Sequence, residues 1–204
     1  MTVRQHKTLH AVYGAWEYRK EIENLNRESL DGWQLIRGGC FYSRFERDEG
    51  IVYRYQIDFR GRIRNMPQYL ESFRDQGWEY INSTFNGWHF FRKVYDPAMP
   101  DEEYEIYTDE ESIAQMQGRW RRMAMVIGSV CLVVAIATLA VIRFSYRPWI
   151  HILMAAGYFS GAMLLFTGVH RMGRTPRETR RGRTGWLWFI MMMVCFIAAF
   201  CIAI

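Results

Sequence analysis

The sequence predicts an α+β fold, a duplicated strand–helix–strand–strand unit in a two-layer sandwich, followed by three transmembrane α-helices. Three observations carry this. LDGWQLI (Leu30–Ile36) is echoed by DQGWEYI (Asp75–Ile81), with the same Gly-Trp and an Ile three places after the Trp. IVYRYQIDF (Ile51–Phe59) alternates, setting Ile51, Tyr53, Tyr55, Ile57 and Phe59 against Val52, Arg54, Gln56 and Asp58, as a strand with one buried face does. The last 82 residues hold three long uncharged stretches.

Laying residue n over n+45 aligns Leu25 with Leu70, Gly32 with Gly77, Trp33 with Trp78 and Ile36 with Ile81. One further residue of offset sets Tyr42 on Trp88 and Phe45 on Phe91. Self-similarity at a fixed spacing defines the supersecondary unit. In the first copy TLHAVY reads as a strand, Glu17–Leu30 as a helix with the stripe Ile22, Leu25 and Leu30, and WQLIRGG and CFYSRFER as strands. In the second copy, Ile51–Phe59 is followed by Met66, Tyr69, Leu70 and Phe73 at helical spacing, with Asn65 as cap and Pro67 tolerated in the first turn. Gly77 stops that helix and Trp78 folds back across its end. WEYINSTF and GWHFFRKV then form a hairpin at Asn86-Gly87. Gly32, Trp33, Gly77 and Trp78 are therefore read as the structural joints of the repeat. Six strands in one sheet with both helices on one face are expected. The segments are 1–96 (the duplicated domain), 97–122 (acidic linker and juxtamembrane helix) and 123–204 (membrane region).

Charge separates the two halves. Residues 1–118 hold 15 Lys+Arg against 20 Asp+Glu, whereas residues 119–204 hold 11 Arg against the single acid Glu178. The basic surplus is thus absent from the folded head, which argues against nucleic acid as a partner. The uncharged stretches 123–142 and 186–204, and 148–169 with His151 near one end, each suit a hydrocarbon core of about 30 Å at about 1.5 Å rise per residue. Arg119, Arg121 and Arg122 precede the first; Arg171, Arg174, Arg177, Arg180, Arg181 and Arg183 follow the second. The positive-inside rule then sets both flanks in the cytoplasm. The 143–147 turn and the C-terminus lie outside, in a multi-pass protein of the cytoplasmic membrane. The polar first 22 residues show no signal peptide, so the N-terminal domain is expected in the cytosol.

The arginine loop attracts anionic membrane lipid, at about 1 kcal/mol per charge near the surface. Gly157 and Gly161 form a GxxxG that lets helices approach closely, within the chain or between chains. Asp96–Glu111 carries eight acids and no base. It reads as a solvated linker with Thr108 or Asp109 capping the next helix, or as a docking strip for a basic partner such as the arginine loop.

No HExxH, P-loop, GxGxxG or GxSxG is present, and the four cysteines form no CxxC pair. No metal, cofactor or catalytic residue is assigned, and the chain is not read as an enzyme. An enzyme would have only Asp58, His89 and Arg54 to draw on.

The DGW and QGW turns, the WHFFRK strand and EIYTDEESIAQMQGRW resemble the bacterial domain of unknown function 2812 family over residues 8–122. Tyr107, Thr108, Asp109 and Ser112 are the most specific piece. The resemblance implies a cytosolic α+β module tied to the membrane. It also implies a link to signalling or envelope stress, since the genes of such proteins often neighbour small regulators of the PadR type. The expected function is a membrane-anchored cytosolic interaction or sensor module that engages a protein or small ligand through its aromatic sheet face. The alternative is an accessory subunit of a transporter or permease, with the GxxxG face and Met191–Met193 as contacts.

Overall fold

A computed structural model of the chain describes residues 5–61, 63–107, 109–172 and 184–203, the side chains of 184–186 excepted. It divides into two compact units, Met1–Arg119 and Trp120–Ile204. The first unit contains β1 (His6–Leu9), α1 (Tyr18–Leu30), β2 (Trp33–Arg37) and β3 (Ser43–Arg47). It continues with β4 (Tyr53–Phe59), α2 (Met66–Arg74), β5 (Glu79–Ser83) and β6 (Trp88–Val94).

The duplication is visible in strand order. Both copies form an antiparallel three-stranded sheet, β1-β3-β2 and β4-β6-β5. Phe45 and Phe91, both fully buried, lie opposite Leu35 and Tyr80 in equivalent registers. The next residues, Ile36 and Ile81, fall at the register break in each copy, so the shared isoleucine of the repeat marks a bulge.

One six-stranded sheet was the expectation; the strands instead form two sheets, and α1 explains why. The outer edge of β4 is taken by helix side chains rather than by a strand. Tyr53 N–H donates to Ser29 Oγ (2.8 Å) and Tyr55 N–H to Asn26 Oδ1 (2.7 Å). With its edge amides satisfied by α1, β4 accepts no further strand. The helices consequently do not share one face of one sheet: α1 packs on β4 of the other copy as well as on β2 of its own.

Gln34 is the hub between the copies. Ser29 Oγ donates to its Oε1 (2.6 Å), and its Nε2 donates to the carbonyls of Ser29, Asp48 and Ile51 at 3.2, 3.0 and 2.8 Å. Tyr55 Oη donates to the same Oε1 (3.3 Å) and accepts from Leu35 N–H (2.8 Å). Burial pushes this phenol up to about 12. A second stitch joins the sheets where Asn82 exchanges two 2.8 Å hydrogen bonds with the backbone of Gly38. A Cβ at Gly38 would stand 2.6 Å from the Phe90 ring, so only glycine admits this approach.

Both helix stops use a left-handed glycine, Gly32 at φ +79° and Gly77 at φ +81°. The second is a full Schellman arrangement: Gly77 N–H donates to Arg74 O (2.9 Å) and Trp78 N–H to Phe73 O (3.0 Å). Trp78 then packs with Tyr69, Phe73 and Phe91. Its counterpart differs. Trp33 is half-buried, with Lys7 Nζ and the Arg47 guanidinium 5.5 and 5.0 Å from its ring. The hairpin after β5 also differs from a two-residue Asn-Gly turn. Thr84 and Trp88 close a three-residue loop in which Gly87 alone has positive φ, +91°.

The second unit holds most of α3 (Glu110–Ala140, rooted in the first unit), α4 (Pro148–Arg171) and α5 (Thr184–Ala203). Among the described residues two helices are long and apolar enough to cross a membrane, Glu110–Phe144 and Pro148–Arg171. The expected third span is corrected: its described apolar stretch, Leu187–Ala203, is too short to count with them. α5 lies along α4. A Cβ at Gly157 would stand 3.0 Å from the Phe196 ring, and one at Gly161 3.2 Å from Met192 Sδ. Arg147 Nη1 donates to the terminal carbonyl of Ile202 (3.1 Å), and Arg121 Nη2 ties α3 to Met172 O (2.6 Å).

The inequality of the two tryptophans is testable. Trp78→Ala is expected to destabilise the first unit by about 3–5 kcal/mol as a core truncation. Trp33→Ala should cost about 1 kcal/mol, the scale of exposed cation–π contacts. Denaturant unfolding of the full chain in detergent, followed by far-UV circular dichroism, measures both. Equal losses would contradict the assignment.

Candidate functional site

Alternation along β4 places Asp58 on the face opposite Tyr55, Ile57 and Phe59, where the sequence pattern expects solvent. It is 1% exposed. A buried carboxylate needs donors, and three elements supply them. From α2, Tyr69 Oη donates to Asp58 Oδ2 (2.7 Å). From the segment after β6, Tyr107 Oη donates to Oδ1. From the root of α3, Arg119 Nη2 pairs with Oδ1 at 3.5 Å and reaches Tyr107 Oη at 3.3 Å, while its Nε donates to Phe59 O (3.2 Å). His89 stands opposite Asp58 in the β4–β6 register. Its Nε2 meets Arg60 O at 3.0 Å, its ring lies 5.3 Å from that of Tyr69, and its Nδ1 has no partner among the described residues.

Burial and then the Asp58 charge push the Tyr69 and Tyr107 phenols well above the usual tyrosine range. Burial pushes the His89 imidazole below its ordinary value. Both carboxylate oxygens are engaged by protein donors, and both phenols are held protonated. The group acts as a lock that ties β4, α2 and α3 together, not as a reachable base or nucleophile. Of the three side chains an enzyme would have drawn on, Asp58 and His89 are adjacent. Arg54 is elsewhere, paired with Asp101 (3.5 Å) and stacked on Tyr95 (4.5 Å). Among the described residues no group of three or more His, Cys, Asp or Glu is placed to hold a metal.

The acidic run is not simply solvated. Tyr104 is buried, donating its hydroxyl to Asp96 O (3.1 Å), and Ile106 packs against the Trp78 cluster. Asp109 caps α3 by accepting from Ser112 N–H (2.7 Å) and Oγ (2.8 Å). Thr108 and the arginines Arg174, Arg177, Arg180, Arg181 and Arg183 lie outside the described residues; Arg171 closes α4. A cleft of about 500 Å³ runs between α1, β4 and this docked segment, lined by Arg19, Glu23, Asn26, Arg54, Gln56 and Tyr104 among others. The aromatic sheet face, expected to be the binding surface, is core instead: Phe45, Tyr55 and Phe91 are completely buried.

The family model described as a protein of unknown function, DUF2812, matches residues 17–129. The chain belongs to this family. No curated protein and no solved structure matches it. The match encloses every member of the Asp58 lock and carries on into the apolar part of α3. In this DUF2812 protein the Tyr107, Asp109 and Ser112 segment has a physical role: Tyr107 closes the lock and Asp109 with Ser112 starts the helix. Sequence reasoning placed Tyr69 in a helix stripe and Arg119 in a topogenic cluster, and so missed their convergence. The one available signal was an acid placed between Ile57 and Phe59 near the end of a strand.

Two outcomes follow from the lock. Asp58→Asn is expected to cost about 1–3 kcal/mol, because Tyr69, Tyr107 and the partly exposed Arg119 lose the carboxylate they share, and to speed amide exchange over Glu110–Arg119. Hydrogen-exchange mass spectrometry reads both, and unchanged protection there would refute the role. The pH profile has a defined sign. The raised phenols contribute stability that is full below pH about 10 and lost as pH rises through their shifted values. The lowered imidazole contributes stability that is full above pH about 6.5 and lost as pH falls. Tyr69→Phe and Tyr107→Phe should flatten the alkaline limb and His89→Gln the acidic one, measured as melting temperature against pH.

Proposed function

We propose that the chain is a membrane-anchored interaction or sensor module. Its α+β head faces the cytoplasm, and its state is passed to the membrane region through α3. One observation carries the reading. α3 is a single helix from Glu110 to Ala140 whose first turns are held in the head through Arg119 on Asp58 and Gln117 Nε2 on Tyr18 Oη (3.2 Å). Its remainder belongs to an apolar stretch that suits a bilayer. A soluble core helix would bury most of such a stretch, yet only 11% of the apolar window of α3 and 33% of that of α4 are buried. Whatever shifts Tyr69 or Tyr107 on Asp58 therefore acts directly on the root of that helix. The regulatory link implied by the family's setting fits a head that reports to a protein partner. An accessory role in a permease lacks such support, since Gly157 and Gly161 face Phe196 and Met192 of α5.

The test combines extraction and sidedness. The full chain should stay with membranes in alkaline carbonate. In intact cells, a membrane-impermeant maleimide should label Tyr146→Cys, in the fully exposed α3–α4 turn, but not the native Cys40 of the head. Release by carbonate, or labelling of Cys40 alone, would sink the proposal.

A further inference from the structure

The stretch from Arg60 to Asn65, of which Arg62 lies outside the described residues, joins β4 to α2, and no acid occurs between Asp58 and Glu71. It borders an open cleft of about 580 Å³ lined by Arg60, Ile63, Arg64, Asn65, Gln68, Tyr69 and Ser72. We infer that this cleft is a binding site for a phosphate-bearing anion of glycerophosphate type, as a soluble phosphomonoester or as the headgroup of an anionic phospholipid.

Among the described residues its lining holds the guanidinium groups of Arg60 and Arg64 and no carboxylate. Among the described residues neither Arg60 nor Arg64 has an ion-pair partner, whereas Arg47, Arg54, Arg92 and Arg119 of the same head are each paired. Arginine presents a planar fork of donors that matches phosphate geometry, which makes a two-arginine, acid-free cleft selective for such anions. The fork of Arg60 is partly organised in advance. Its guanidinium lies 5.5 Å from the ring of Tyr69, whose hydroxyl is fixed on Asp58. The cleft also meets the N-terminus of α2, which carries no acid in its first turn. The dipole there favours negative charge. Asn65 spends its side-chain oxygen on Gln68 N–H (3.3 Å) and its Nδ2 on Gln68 Oε1 (3.2 Å). Ile63 offers an apolar wall for a glycerol or acyl carbon. The lipid source is considered because Phe59, one residue before Arg60, receives Arg119, and the apolar stretch 123–142 begins four residues beyond Arg119. The site goes beyond the anchoring proposal and does not depend on it.

The experiment uses the full chain in a phosphate-free non-ionic detergent, titrated calorimetrically with inorganic phosphate and with glycerol 3-phosphate. In a second arm the chain sits in nanodiscs of phosphatidylcholine with or without phosphatidic acid, and spin-labelled lipid reports headgroup contact at Arg64. Saturable binding is expected in at least one arm. It should weaken about tenfold in Arg64→Gln, as the loss of one charge-assisted contact implies, and further in the double variant with Arg60→Gln. Arg44→Gln, an exposed arginine outside the cleft, should leave it unchanged. Binding of the soluble anions identifies a metabolite site, and binding in phosphatidic acid discs alone identifies a headgroup site. Absence of saturable binding in both arms, or equal affinity of Arg64→Gln and the parent chain, overturns the inference.

Discussion

The burial of one carboxylate organises this head. Asp58 is out of reach of water, and a charge in that position is tolerated only when donors surround it. The donors come from three places far apart in the chain, Tyr69, Tyr107 and Arg119. Satisfying Asp58 therefore fixes where α2 lies, how the acidic segment returns to the domain, and where α3 starts. Removing any donor leaves the others with an incompletely paired charge, so the lock has little tolerance for partial occupancy.

A second polar centre performs the corresponding task between the two copies. Ser29, Gln34 and Tyr55 satisfy one another while bridging α1, β2 and β4. Because Ser29 and Asn26 also take the edge amides of β4, the first helix closes the sheet of the second copy. The domain is thus interlocked through polar contacts, and its apolar residues fill the space those contacts define. This explains why the copies diverged in their tryptophans. Trp78 sits over its own helix end in the core, whereas the corresponding helix end in the first copy carries the buried Glu28, bound to Lys7 at 2.6 Å. Trp33 is left to cover cations at the surface.

The head is continuous with α3, whose later part is apolar. The neighbourhood of the lock holds two different clefts. One is mixed in charge along α1 and β4, and the other is purely cationic at the entry to α2. Tyr107 borders the first and Tyr69 the second, and both hold Asp58.

The sequence by itself determined the repeat, the helix stops at Gly32 and Gly77, the cap at Asn65 and the apolar character of the second half. Each of these is a local property: a missing Cβ, a short side-chain acceptor or a run of uncharged residues acts within a few positions of itself. The shared Ile36 and Ile81 were legible as a repeat, though not as bulges, since a bulge exists only against a partner strand. The split into two sheets, the turn at Gly87 and the Asp58 lock were decided by tertiary structure. Alternation assigned Asp58 to water because it records only which face a residue occupies. Whether that face is later covered by a helix and a returning segment depends on contacts across 49 and 61 residues of chain, as Tyr107 and Arg119 make with it. Such contacts leave no periodic trace in the sequence. They form because a buried charge must find its donors wherever the fold can bring them.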